Sequence, residues 1–143
     1  APMERLAANE ESLRRLLGVL VRSNSVAPDD LTEIDDAARA AAAALDAVVE
    51  DVVALESAAR GSAAAKTHLS AAIVDAGERL GTGVDQFEEL VAAAARLAAT
   101  AEGNRSLAVL DQRRAELIAT SDKLESWAQS WRELGQIEQR YRP

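Results

Sequence analysis

The chain contains one histidine, His68, and histidine is a residue type able to carry group-transfer chemistry. On a helical hairpin a histidine can accept a phosphoryl group, as it does in histidine kinases and phosphotransfer domains. Those domains place an acidic residue, or a lysine and a glycine, shortly after the histidine. Here the next residues are Leu69-Ser70-Ala71-Ala72, and the histidine lies beside the apolar seam of its helix. We therefore predict an ordinary, exposed surface histidine.

Carboxylates are abundant and include the adjacent pairs Asp35-Asp36, Glu50-Asp51 and Glu88-Glu89. A di-iron site inside a helical bundle requires Glu-x-x-His pairs on two helices. Residue 65 is an alanine, and one histidine cannot supply two such pairs. Several acids instead precede an arginine by four residues: Glu10 and Arg14, Glu11 and Arg15, Asp35 and Arg39, Glu56 and Arg60, Asp75 and Arg79, Glu138 and Arg142. Such pairs are typical of a solvated helix face and contribute only ~0.2–0.5 kcal/mol each, so we predict no metal site.

Other catalytic groups are also missing from the sequence. There is no cysteine, and therefore no thiol nucleophile and no thiolate metal site. Gly81-Thr82-Gly83 is too short for a phosphate-binding loop and follows no predicted strand. No serine or threonine has an identifiable base nearby. The sequence predicts no catalytic residue, no cofactor and no enzyme.

One group of side chains on the last predicted helix is a candidate interaction face. It consists of Trp127, Trp131, Leu134 and Tyr141. These residues share one side of that helix in a chain with only two tryptophans, one tyrosine and one phenylalanine. They can fill the wide end of an alanine-rich core, or they can bind a partner, since tryptophan and tyrosine are typical interface anchors. Both interpretations remain open at this point.

Composition limits the possible partners and locations. The net charge of −8 and the pI near 4.7 argue against nucleic acid and against an anionic membrane surface. The best candidate for a membrane span is interrupted by Asp46, Glu50 and Asp51, and no signal peptide is recognisable, so we expect a cytoplasmic protein. Frequent alanine, with arginine preferred over lysine, suggests a bacterial source. The end sequences, Ala1-Pro2-Met3 and Arg142-Pro143, are compatible with a piece of a longer protein.

Alanine is the best helix former, so its abundance predicts helix almost everywhere. We expect a first helix at about 3–22, then a loop closed by Pro28. Asp30 is a good N-cap for a second helix at about 30–60, and Glu33 can complete a capping box.

A 3-4 spacing of apolar residues runs from Leu31 to Leu97, and such a 3.5-residue repeat is typical of left-handed helix–helix supercoiling. One set of positions is Leu31, Ala38, Leu45, Val52, Ala59, Lys66, Ile73, Leu80, Phe87 and Ala94. The other is Ile34, Ala41, Val48, Leu55, Ser62, Leu69, Ala76, Gly83, Leu90 and Leu97. Lys66, Ser62 and Gly83 are the clear lapses, and they fall beside residues with turn or cap chemistry.

Two arrangements of this repeat are possible. Gly61 can end the second helix and begin a tight hairpin, or the helix can continue as a rod of roughly 100 Å, at 1.5 Å per residue. We favour the hairpin, with Ser62 as the N-cap of a third helix at about 62–101. We also expect a bend or short break near 81–83, where Thr82 could be an N-cap.

A turn after residue 101 leads to a last helix at about 106–142. Residues 29–60 hold nine acids and two bases, a net −7, whereas residues 104–142 hold seven bases and six acids, a net +1, so these two helices are electrostatically suited to be neighbours. The predicted fold is all-α: an elongated antiparallel four-helix bundle with a short first helix and three longer ones, forming a single domain.

The function that this fold favours is a non-enzymatic scaffold or coiled-coil module acting through helix packing. Its partner would be another protein or a second copy of the chain, and the sites would be the aromatic face and the acidic second helix. The alternative is a ligand-sensing or signal-transmitting four-helix bundle of a bacterial receptor. A lipid-surface coat is disfavoured by the acidic polar faces.

Overall fold

The computed structural model describes residues 2–24, 26–103 and 106–140, with side chains described between residues 3 and 133. Four helices make up nearly all of these ranges, which contain no strand: α1 Pro2–Ser23, α2 Pro28–Arg60, α3 Ala63–Gly103 and α4 Leu107–Arg140. The predicted four-helix bundle, with a short first helix and three long ones, is confirmed. At 1.5 Å per residue the longest helix, α3, extends roughly 60 Å.

The helix α3 is the centre of the bundle, because it packs against each of the other three helices. α2 also packs along α4, whereas α1 barely touches α2. On α4, Arg114 reaches Asp30 and Glu33 near the start of α2, so α2 and α4 run parallel to each other and antiparallel to α3. Arg5 near the start of α1 binds Asp85 on α3, so α1 is an outer helix on the far half of α3.

The core follows the predicted 3-4 repeat. Its largest fully buried side chains include Leu20, Ile34, Leu45, Val48, Val84, Phe87, Leu90, Leu97, Leu117 and Leu124. Each such side chain contributes about 1.5–3 kcal/mol by leaving water. Between them lie fully buried alanines such as Ala38, Ala41 and Ala94, which allow the helices to approach closely. The repeat becomes exposed at its lapses, Ser62 and Lys66, which lie at the tip of the α2–α3 hairpin.

The predicted start of α2 is wrong. The helix begins at Pro28 after the N-cap residue Ala27, which makes no side-chain cap, and Asp30 lies in the first turn. Proline is favoured at the first helical position because its fixed φ suits the helix and its missing N–H would have no helical acceptor there. Glu33 therefore closes no capping box, and its carboxylate binds the Arg114 guanidinium at 3.1 Å instead.

The α2–α3 hairpin is confirmed, since the two helices pack against each other across a two-residue connection. Ser62 is the N-cap of α3 as predicted, and its hydroxyl accepts a hydrogen bond from the Ala65 N–H at 3.3 Å. Gly61 ends α2 with a right-handed φ of −74°. The left-handed backbone typical of a glycine helix stop is thus not used at this turn.

The expected short break near 81–83 is wrong, because α3 continues through these residues. Thr82 is not an N-cap; its hydroxyl donates to the Glu78 carbonyl four residues back, as in a helix interior. Gly83 is buried, and a Cβ built there would lie 2.5 Å from the ring of Trp127. Close approach of the α4 indole accounts for this glycine. The milder expectation, a bend of the helix axis here, stays a prediction.

Candidate interaction surface

The aromatic residues of α4 pack against α3. Trp127 and Trp131 are both half-buried against the core, with ring centroids 5.9 Å apart and a tilt of 42°. The Trp127 ring lies over Gly83, and the guanidinium of Arg79 lies 6.0 Å from the Trp131 ring centroid, within cation–π range. These contacts join the two helices.

The remaining members of the predicted aromatic face lie outside the described residues. For Leu134 only the helical backbone is described, and Tyr141 is outside the described ranges altogether. The structure therefore brings two of the four residues together and gives both a packing role. Partner binding by this face stays a prediction.

Most of the predicted ion pairs within helices are present. The Glu11–Arg15, Asp35–Arg39, Glu56–Arg60 and Asp75–Arg79 pairs have N–O distances of 3.1, 2.7, 3.8 and 3.1 Å. The Glu10–Arg14 pair is wrong, because Arg14 binds Glu11 instead. Glu138 and Arg142 lie outside the described side chains. His68 is exposed, as predicted.

Glu10 faces Asp46, where α1 passes α2. Its Oε1 atom is shut off from solvent, and no hydrogen bond to that atom is formed within the described part of the chain. Burial of this carboxyl raises the pKa of Glu10 to about 7, and hydrogen bonding to the Asp46 carboxyl and repulsion from its charge add to the shift. The contact between α1 and α2 thus contains two carboxyl groups, one of which is easily protonated.

A surface that sequence reasoning missed lies on α3, N-terminal to the part that α1 covers. Arg5 at the start of α1 binds Asp85 at 2.6 Å and Glu88 at 2.9 Å, and further along this outward side of α3 Ala92, Ala95 and Ala99 are exposed. At 3.6 residues per turn, eight of the residues from position 66 to position 81 fall within about 80° of the line through Asp85 and Glu88. We call them the open α3 face: Lys66, Thr67, Ser70, Ala71, Val74, Gly77, Glu78 and Gly81.

The residues of this open α3 face have few neighbours. Val74 is 62 % exposed, and Cβ atoms built at Gly77 and Gly81 would meet nothing within 4 Å. Next to it, a cleft of about 590 Å³ is lined by Ala59, Arg60, Ser62, Ala63, Lys66, Ser70 and Ile73. Val53 on α2, 47 % exposed, adds apolar surface at the same end of the hairpin. A glycine at position 77, inside a strong helix pattern, was the sequence signal for this surface.

Two charged residues mark this face, Lys66 near its N-terminal end and Glu78 near its C-terminal end. Among the described residues neither side chain forms an ion pair, although many other charged groups of the chain do. They are separated by 12 positions, or roughly 18 Å along the helix. The open α3 face therefore has opposite charges at its two ends.

The described residues contain no candidate metal-binding cluster and no helix able to span a membrane. No group of three or more histidine, aspartate or glutamate side chains there could hold a metal ion. Within the same residues, none of the helices has the length and apolar character needed to cross a bilayer.

The fold and this surface define an all-α bundle that leaves part of its central helix uncovered. Residues 1–134 match the family model described as the Rv2743c family, and the chain belongs to that family. It is 37 % identical over 139 residues to "Putative envelope-preserving system protein Rv2743c" of Mycobacterium tuberculosis (strain ATCC 25618 / H37Rv). The match covers 96 % of this chain and 52 % of that protein, so the chain spans about half the length of this relative. No solved structure matches the chain.

Proposed function

We propose that this chain is a non-catalytic helical interaction module within a protein assembly that maintains the bacterial envelope. The observation that carries the proposal is the open α3 face, on which Val74 is 62 % exposed and is followed by two helix-interior glycines, Gly77 and Gly81, with open space above them. Glycine inside a helix is less favourable than alanine by roughly 0.5–1 kcal/mol. Gly77 and Gly81 therefore lower the stability of the isolated chain, and among the described residues nothing lies within 4 Å of a Cβ built at either position.

A partner helix would explain both features. Small residues let a second helix approach closely, and interaxial distances between packed helices depend on the side chains at the contact. Burial of Val74 would then recover apolar surface that is left in water here. The net charge of −8 makes an anionic lipid surface a poor alternative partner.

The envelope part of the proposal rests on the relative from M. tuberculosis, whose name refers to an envelope-preserving system. The shared region is nearly all of this chain and about half of that protein. We infer that the helical bundle supplies binding, through which it contributes to such a system.

The test is complementation in a bacterium deleted for its own family member, measured as survival of detergent stress. Val74→Asp places a charge on the open α3 face and should abolish rescue. Val21→Asp is the matched control, because Val21 on α1 is 61 % exposed and lies on another surface. Both variants should keep the wild-type circular dichroism spectrum. Rescue by Val74→Asp equal to wild type would overturn the proposal.

A ligand-sensing or signal-transmitting role is the second candidate, and one observation favours it. α1 is attached to α3 but barely touches α2, and the small contact includes the Glu10–Asp46 carboxyl pair. A helix held in this way can shift without opening the α2–α3–α4 core. Identical positions of α1 in nitroxide distance measurements at pH 5 and pH 8 would argue against this role.

A further inference from the structure

We propose that Glu10 and Asp46 form a pH-sensitive switch, which joins α1 to α2 while the two carboxyl groups share a proton and releases α1 from α2 when that proton is lost to water. The inference deepens the second candidate function, because it names the groups that respond and the helix that moves. It does not depend on the open α3 face. It is carried by the facing of two acids, by the buried oxygen of Glu10 and by the separate attachment of α1 to α3.

α1 is attached to α3 independently of α2. Arg5 binds Asp85 at 2.6 Å and Glu88 at 2.9 Å. One turn later, the side-chain amide of Asn9 donates to the same Glu88 carboxylate at 3.3 Å. A four-residue connection joins the end of α1 to α2, so these two helices run antiparallel. Because the direct contact between α1 and α2 is small, its loss shifts α1 without detaching it from the bundle.

The charged groups around Glu10 leave the two acids without a basic partner. Asp46 is the group on α2 whose hydrogen bonding and charge act on Glu10. Glu50, one turn after Asp46, is another acid. Other charged side chains of the three packed helices are bound to one another: Arg39 to Asp35 on α2, Glu88 of α3 to Arg5, and Arg14 to Glu11 on α1. Ionisation of both carboxyl groups would therefore place two negative charges together.

A single proton removes this repulsion. The Oε1 atom of Glu10 is shut off from solvent and has no hydrogen bond within the described residues. Burial, together with Asp46, raises the pKa of Glu10 to about 7. Once α1 moves away from α2, the carboxyl group enters water and its pKa falls towards the ordinary 4.5. The joined state thus holds the proton more tightly, and its equilibrium constant falls about tenfold per pH unit between these two values.

Release changes the partners of both helices. An ionised Glu10 lies one turn before Arg14, in the order that favours an ion pair within a helix. This is the pair that the sequence predicts and that Glu11 replaces in the joined state. On α2, release uncovers apolar surface. Val49, one turn after Asp46, is 8 % exposed, whereas Val53, a further turn along, is 47 % exposed.

The experiment measures how fast a thiol at position 49 of the full chain reacts with N-ethylmaleimide. The chain has no cysteine, so one introduced thiol gives one signal. The rate for Val49→Cys is divided at each pH by the rate for Val53→Cys, the same change on the same helix, which removes the titration of the thiol itself. The ratio should rise about tenfold between pH 6 and pH 8. Ala42→Cys, half-buried one turn before Asp46, repeats the measurement at a second position.

Variants of the two acids assign the response. Glu10→Gln is neutral at every pH, so its ratio should stay at the wild-type pH 6 value. Asp46→Asn removes the neighbouring charge and should move the rise to lower pH. Glu4→Gln, at an exposed acid of α1, should behave like wild type. A wild-type ratio that is the same at pH 6 and pH 8, or a Glu10→Gln variant that keeps the rise, would overturn the proposal.

Unfolding of the whole bundle is measured separately with Ala94→Cys, because Ala94 on α3 is fully buried. Its thiol should react much more slowly than the thiol of Val49→Cys. Equal rates would also overturn the proposal, since both thiols would then be reached only through unfolding.

These outcomes are separable from those that test the proposed function. Nitroxide distances that change with pH in Glu10→Gln as they do in wild type would refute the switch and leave a sensing role to another group. A rise in the ratio that requires Glu10, combined with full rescue by Val74→Asp, would refute binding through the open α3 face and leave the switch in place.

Discussion

Gly83 and Gly77 both lie in the interior of α3, but Gly83 is packed against a side chain whereas Gly77 has open space beside it. A Cβ at Gly83 would lie 2.5–2.9 Å from three atoms of the rigid Trp127 ring, whereas one at Gly77 would meet nothing within 4 Å. Gly83→Ala should therefore destabilise the fold by ~1–3 kcal/mol through overpacking. Gly77→Ala should stabilise the monomer by roughly 0.5–1 kcal/mol, because alanine is the better helix former.

Urea unfolding of both variants at low micromolar concentration measures the two free energies without interference from self-association. The variants serve as controls for each other, since the chemical change and the helix are the same. Equal effects at the two positions would show that Trp127 does not occupy the space above Gly83.

Glu10 makes the stability of the α1–α2 contact depend on pH. Its pKa is about 7 in the folded chain and near the ordinary 4.5 when the chain is unfolded, so the folded state holds the proton more tightly. The stability contributed by protonated Glu10 is full below pH 4.5 and is lost as the pH rises through 7. Glu10→Gln keeps a neutral side chain at every pH. This variant should match wild type near pH 4.5 and be the more stable protein at pH 8.

The measurement is the difference in unfolding free energy between wild type and Glu10→Gln at these two pH values. Taking a difference removes the contribution of the other acids, among which Glu11 acts in the opposite direction because Arg14 lowers its pKa. Glu4→Gln, at an exposed acid of the same helix, is the control. A difference that does not change with pH would contradict the burial of the Glu10 carboxyl beside Asp46.

At the scale of the helices, the seam of α2 is tested by Leu45, which is fully buried. Leu45→Asp removes the packing of a core leucine, worth ~2–5 kcal/mol even when the replacement is alanine, and also places a carboxylate in an apolar site. The helical circular dichroism signal should collapse or melt at a much lower temperature. Leu107→Asp is the matched control, because Leu107 is 80 % exposed at the start of α4. An unchanged melt of Leu45→Asp would show that the seam is misplaced.

Helix periodicity predicted the buried sides of α2 and α3 because that information is local, whereas the hairpin was favoured over a continuous rod on the turn residues Gly61 and Ser62. The repeat from Leu31 to Leu97 identifies the buried side of each helix, and its lapse at Ser62 coincides with the turn. The errors came from contacts between distant positions. The glycines near 81–83 predict a break, but Gly83 is required by the Trp127 ring, which lies 44 residues later in the chain.

The candidate surface could not be predicted for a related reason. Periodicity shows which side of a helix is apolar, but not which helix covers it or how far. The sequence did not predict which helix α1 packs against. In the structure α1 packs along α3 from the level of Asp85 onward and has little contact with α2. Only that placement reveals that the stretch from Lys66 to Gly81 is left open.

In the whole molecule, the predicted charge complementarity between α2 and α4 corresponds to the ion pairs of Arg114 on α4 with acids of α2. Its guanidinium lies 3.1 Å from Glu33 and 3.9 Å from Asp30, and the pKa of this arginine is raised, first by its hydrogen bond to Asp111. Exposed pairs of this kind contribute at most about 1 kcal/mol each. The buried apolar seam, rather than the charges, therefore holds the bundle together.

The buried apolar seam is weaker at the α2–α3 hairpin end of α3 than in the middle of that helix. Residues 63–75 of α3 are all at least partly exposed, whereas residues 84–98 include the fully buried Val84, Phe87, Leu90 and Leu97. Opening the hairpin end therefore exposes less apolar surface than opening the middle of α3. Hydrogen exchange of the monomer should be at least tenfold faster for amides 66–75 than for amides 87–97.

Raising the protein concentration then distinguishes the two surfaces proposed for binding. If self-association uses the open α3 face, protection should increase between residues 66 and 81 in wild type and should not increase in Val74→Asp. Increased protection around Trp127 and Trp131 instead would place self-association on the aromatic face, which the sequence singled out. Because both regions belong to one chain, a single exchange experiment at two concentrations compares them under identical conditions, and the position of the added protection identifies the face that binds.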